Sequence, residues 1–120
     1  MDLITNPAKP PAGHYSQAVV SNGLVFLSGV LPANPGAGDF ADEVRQAMAS
    51  CVEVLGQAHC VLDDVVQCTA YIVGVENWPE FNRIYKEAFG QHKPARTVVP
   101  VPELHHGSLV ELQMVAAVRS

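Results

Sequence analysis

The sequence is short of charge, and of positive charge above all. Only 16% of its 120 residues are Asp, Glu, Lys or Arg, and seven cations against twelve acids leave a net charge of −5. The cations are scattered from Lys9 to Arg119 with no basic stripe to neutralise phosphates, which argues against nucleic acid as a partner. Cysteine is equally sparse. Cys51, Cys60 and Cys68 make an odd count without C-x-x-C spacing. Two fall on one predicted helix and one in a predicted strand, so a disulfide framework is not expected and a reducing compartment is.

Metal-ligand patterns are missing as well. There is no H-x₃-H, His14, His59 and His92 stand alone, and the adjacent His105 and His106 read as a solvated turn and would chelate poorly together, since neighbours in a strand point to opposite faces. No metal site follows, and no cofactor. Cys51 lies on an apolar helical stripe and Cys68 in a strand, neither with a His placed beside it by sequence, so a nucleophilic thiol is not expected. Met1–Pro7 lacks the basic and apolar regions of a signal peptide, and no stretch is long enough to span a membrane. A cytoplasmic protein without membrane contact is the expectation.

What is present reads as one domain over residues 1–120. The chain is 48% apolar, and a chain of this length buries about 65% of its unfolded surface, enough for a single core. Pro7, Pro10, Pro11 and Gly13 mark residues 5–14 as a lead-in arm. Strands are predicted at 17–21 and 24–29, joined by Asn22-Gly23, a pair that tolerates the positive φ of a tight hairpin turn. Pro32 to Gly38 is a loop by composition. Asp39 should cap a helix running to about His59, its apolar stripe formed by Phe40, Val44, Ala47, Met48, Cys51, Leu55 and Ala58. Residues 65–73 form a β-branched strand. Asn77 with Glu80 resembles a capping box opening a second helix that buries Phe81, Ile84, Tyr85, Ala88 and Phe89 and stops at Gly90. Two strands follow, near 97–101 and 109–118. The order ββαβαββ implies an α+β domain with both helices on one face of a single sheet. On the opposite face, Leu109, Glu111, Gln113, Val115 and Ala117 share one side of the last strand, while Val65, Gln67, Thr69, Tyr71 and Val73 share one side of the middle strand. That face is too apolar for water and too polar for a core, as a subunit interface would be.

Arg96 opens one late strand, and Glu111 lies in the next, fifteen positions on. A strand, a Pro- and Gly-rich turn and a returning strand would bring the two to neighbouring places on one sheet. A guanidinium grips a carboxylate through two parallel hydrogen bonds, which a Lys cannot match. Arg96 could therefore hold an acidic ligand with Glu111 beside it; an ordinary ion pair between the two is the competing reading.

Pro94-Ala95-Arg96-Thr97, followed by Glu111 within Leu109-Val110-Glu111-Leu112, resembles the C-terminal signature of the YjgF/RidA family of imine and enamine deaminases. Tyr15-Ser16-Gln17-Ala18 and Leu27-Ser28-Gly29-Val30-Leu31-Pro32 resemble the family's first hairpin, and Asn82 its helical Asn; the likeness covers residues 5–119. The resemblance implies a chorismate-mutase-like fold and a homotrimer with clefts between subunits. It also implies cofactor-free hydrolysis of 2-imino acids to 2-keto acids and ammonia. Carried over, Arg96 would hold the substrate carboxylate and Glu111 would orient or deprotonate the attacking water, helped by the backbone carbonyl near Val98. Tyr15, Ser28, Gly29 and Asn82 would line the pocket. Val98 stands where the family's deaminases carry Cys, and Gly90–Lys93 is shorter than the family's segment. The alternatives are a pathway-specific deaminase of the aminoacrylate or aminomuconate type, or a non-catalytic trimer that binds small ligands. A chorismate-mutase-like enzyme would want several cations around a dicarboxylate, where Arg96 alone is expected.

Overall fold

The computed structural model describes residues 1–119. Its strands are β1 (Asp2–Ile4), β2 (Ala18–Ser21), β3 (Leu24–Leu27), β4 (Val65–Val73), β5 (Ala95–Val101) and β6 (Val110–Ala117). Its helices are α1 (Phe40–Gln57) and α2 (Trp78–Phe89). The strands form one sheet in the order β1-β2-β3-β6-β4-β5, antiparallel except for the β4–β5 pair. The expected α+β fold is therefore present, with one addition. β1 pairs with β2 through Leu3 and Val19, a contact that a three-residue strand ahead of a Pro-rich arm does not advertise. Gln17 pins that arm, accepting from the Asn6 N–H and donating to the Lys9 carbonyl.

Asn22 (φ 51°) and Gly23 (φ 79°) make the β2–β3 turn, as their tolerance of left-handed backbone requires. Asp39 and Asp42 cap α1 reciprocally, each carboxylate accepting from the other's backbone N–H. Gln57 ends the helix, so Cys60 lies beyond it. The Asn77 capping box does not form: the Asn77 amide turns back to donate to the Val73 carbonyl, leaving α2 without a side-chain cap.

The core lies between the sheet and the two helices. Val110, Leu112, Met114 and Ala116 of β6 are buried against α1, while Val118 is past the strand and exposed. β4 departs from strict alternation. A bulge between Val65 and Gln67 shifts the register, so Val65 turns into the core and Val66 is left 45% exposed on the other face. Thr69, Tyr71 and Val73 keep the expected mixed face, but Val65 does not belong to it. One carboxylate is buried with the apolar residues: Glu43 of α1 accepts from the Leu109 N–H at 2.9 Å and the Gly36 N–H at 3.2 Å. Those two bonds tie the loop before α1 to the start of β6 and offset the cost of hiding a charge.

Candidate functional site

Arg96 and Glu111 are not neighbours. β4 lies between β5 and β6, so the chain leaving β5 crosses it instead of returning alongside. The two side chains also face opposite ways. Arg96 is in register with Cys68, which is buried on the helix side; Glu111 is in register with Tyr71 on the other side. Neither the expected adjacency nor the competing ion pair exists within one chain. Sequence parity could not reveal this, because it orders faces within a strand and says nothing of the phase between two strands.

Each residue instead anchors its own half of the predicted set. On the helix side, Arg96 donates to Asn82 Oδ1 at 2.9 Å. Its guanidinium carbon sits 4.9 Å from the Tyr85 ring centroid and 5.9 Å from that of Phe81, close enough for the ring faces to attract the cation. Asn82 and Tyr85 share one face of α2, so the helix presents amide and ring together. These residues line a cavity of about 350 Å³ with Lys86, Phe89, Gly90, His92, Lys93 and Pro94. His92 Nε2 donates to the Val65 carbonyl at 2.7 Å, fixing the far wall. Val98, one step along on the same side of β5, packs partly buried against the core.

Beneath Arg96 the chemistry is quiet. Burial pushes the Cys68 thiol up to about 12, although the Tyr85 hydroxyl and Arg96 oppose it. Burial likewise raises the Tyr85 hydroxyl, and that oxygen has no hydrogen-bond partner among the described residues; the thiol is close without reaching bonding geometry. The Cys51 thiol is raised further by burial. All three cysteines are free.

The second half lies across the sheet. β3 parts from β6 after Phe26, which is opposite Val115, and rejoins it at Val30, opposite Leu112. The extra residue bulges Ser28 and Gly29 outward. The Ser28 hydroxyl donates to the Ser16 carbonyl at 2.6 Å and its N–H to the Gln17 carbonyl at 3.0 Å, holding the segment that carries Tyr15. Glu111 fills the space beside the bulge. A Cβ on Gly29 would fall 2.5 Å from Glu111 Oε2, so a side chain there would displace the carboxylate from its present position. Tyr15, Ser28 and Gly29 also line a cavity of about 240 Å³ with Lys9, Gln17 and, from α1 on the helix side, Glu53; Glu111 is not among its lining residues.

His105 and His106 lie in an exposed 3₁₀ turn, in keeping with the solvated turn expected there. Their rings are side by side at 3.8 Å, with His106 at φ 61°. Among the described residues, no three His, Cys, Asp or Glu side chains gather in a way that could hold a metal. Sequence reasoning missed Lys86, Lys93 and His92 as cavity residues. Lys86 was findable, because it follows Asn82 by one helical turn.

Residues 5–118 match the Endoribonuclease L-PSP family. The chain belongs to that family. Its likeness to YjgF and RidA extends through fold and sequence. The structure of the YjgF gene product of E. coli superposes with a TM-score of 0.88 at 26% identity, covering 99% of this chain and 100% of that one. The structure of yeast Mmf1 gives a TM-score of 0.87 at 29% identity over 98% and 94% of the two chains. The 2-iminobutanoate/2-iminopropanoate deaminase of Homo sapiens is 32% identical, covering 94% of this chain and 88% of the human one. Among the described residues, no helix of this L-PSP family member is long and apolar enough to cross a membrane.

Proposed function

We propose that the protein hydrolyses small 2-imino acids to 2-keto acids and ammonia, without a cofactor, at sites shared between copies of the chain in a homotrimer. Arg96 holds the substrate carboxylate, with Asn82 fixing the guanidinium. Glu111 of the neighbouring copy orients or deprotonates the water that attacks the imine carbon, beside that copy's Tyr15, Ser28 and Gly29. The backbone at Val98 contributes an acceptor and no side-chain chemistry, so Val in place of Cys is compatible with turnover. An imine is already electrophilic, and placing water, acceptor and carboxylate clamp together lowers its barrier by several kcal/mol.

The observation that carries this reading is the division of the site: an anion clamp on one face and a carboxylate with an open bulge on the other. Two halves on opposite faces of one sheet act on one substrate only if a second copy supplies the missing half. The deaminase named among the relatives favours imine hydrolysis as the reaction. Retention of Glu111 separates an enzyme from a carboxylate binder, which needs only the Arg. Three unpaired thiols are in keeping with a reducing, cytoplasmic setting.

The test is complementation. Arg96→Ala and Glu111→Gln should each abolish keto-acid release from imines generated by an amino-acid oxidase. Unfolding and refolding the two together should restore roughly a quarter of the wild-type rate, because in a cyclic oligomer some interfaces then combine one intact half from each variant. No recovery in well-mixed oligomers would place both residues in one chain's site and sink the proposal.

A further inference from the structure

The seven Lys and Arg residues divide sharply. Lys9 pairs with Glu53, Arg45 with Glu87, Arg83 with Glu80 and Glu87, and Arg119 with Asp64. Among the described residues, the three cations without an ion pair are Lys86, Lys93 and Arg96, and all three line the same cavity. Among the described residues, no carboxylate lines it. In a chain of net charge −5 with twelve acids available, collecting these three unpaired side-chain cations around one concavity produces a local field opposite in sign to that of the molecule.

The arrangement has a direction. Arg96 is anchored at Asn82, and Lys86 follows Asn82 by four positions on the same face of α2, about 6 Å along the axis. Lys93 comes from the segment after Gly90, off the helix, so it closes on the cavity from another side. Tyr85, Phe89 and Pro94 supply apolar wall between the charges. The alternative explanation of Lys86, attraction to the C-terminal end of the helix dipole, does not reach Lys93.

We infer that this cavity takes a small molecule with two acidic groups: Arg96 holds the carboxylate next to the reacting carbon, and Lys86 with Lys93 holds a second carboxylate at the other end of the chain. The inference rests on the hydrolytic reading above and narrows it to the imines of dicarboxylic amino acids. In the reaction the water oxygen bonds to the imine carbon, both water protons pass to the nitrogen, and the carbon–nitrogen bond breaks to leave the keto group and ammonia. The second carboxylate is a spectator that sets which substrate is held.

Calorimetry on the intact protein tests it with two stable keto acids, 2-oxoglutarate and 2-oxobutanoate, at fixed salt. The dicarboxylate should bind about tenfold more tightly, the scale of one charge-assisted contact. Lys86→Met/Lys93→Met should remove that advantage, whereas Arg45→Met/Arg119→Met, which deletes an equal charge outside the cavity, should retain it. Equal affinities in the wild type, or a preference that survives the double substitution, would overturn the inference. A parallel keto-acid release assay keeps the two readings apart. Dicarboxylate preference without imine turnover removes the enzyme and leaves the cavity assignment. Turnover with no preference does the reverse.

Discussion

Arg96 is a residue whose surroundings say more than its charge. Asn82 takes one of its N–H groups and two aromatic rings lie beneath it, so the fork is held in orientation before any ligand arrives. Arg96→Lys should therefore lower kcat/KM for imine hydrolysis roughly ten- to hundredfold, through loss of a charge-assisted hydrogen bond of about 1.5–3 kcal/mol. Melting temperature and hydrolysis rate measured on one preparation check this; a wild-type rate in the variant would show that Arg96 clamps nothing. At this scale the sequence was informative about identity and poor about company. Arg96, Glu111, Asn82, Tyr15, Ser28 and Gly29 could each be singled out by residue type and resemblance. Their partition into two groups could not, since it depends on the order β6-β4-β5, a long-range fact. Lys86 and Lys93 escaped for a related reason: a lysine is ordinarily a solvated surface residue, and only the shared concavity distinguishes these two.

Elements were legible where the signal was periodic or chemical. The stripe on α1, its acidic cap and the Asn22-Gly23 turn follow from local rules. Departures arose where a tertiary contact overrode a local rule. The Asn77 amide found the Val73 carbonyl instead of capping α2, and the bulge at Val66 reversed Val65. β4 also bears a measurable consequence of its burial. The Cys68 thiol is raised from an ordinary 9.0 to about 12, with burial the leading cause. In the unfolded chain the same thiol ionises near its ordinary value, so the stability it contributes is whole below that pH. It is lost as pH rises from there toward the folded-state value. Thermal melts should accordingly be flat with respect to this thiol up to about pH 8 and fall steadily above about pH 9. Cys68→Ala should flatten part of that fall, although deleting the buried sulfur lowers stability at every pH. An identical alkaline slope in the variant would show that this thiol does not carry the effect.

The described residues form two layers, 19 Å along the shortest axis, with both helices on one side of the sheet and no helix on the other. On the bare side Phe26 is 43% exposed and Val66 45%. Phe26 is paired across strands with Val115, and Tyr71 with Glu111. A sheet face this apolar does not persist in water without cover, and β5 at the sheet edge leaves backbone groups free to meet a neighbour. Association through this face and the proposed sharing of the site make the same demand, since a second copy would cover the apolar surface and complete the chemistry in one step. Light scattering at micromolar concentration should therefore give about three times the 12.8 kDa chain mass. Val115→Glu places a second carboxylate on the same side of β6 as Glu111, four positions away along the strand. Burying an unpaired carboxylate in a desolvated interface opposes association strongly, so the variant should scatter as a folded monomer and lose imine hydrolysis at the same time. A wild-type protein that is monomeric at that concentration and still hydrolyses imines would contradict both the trimer and the shared site.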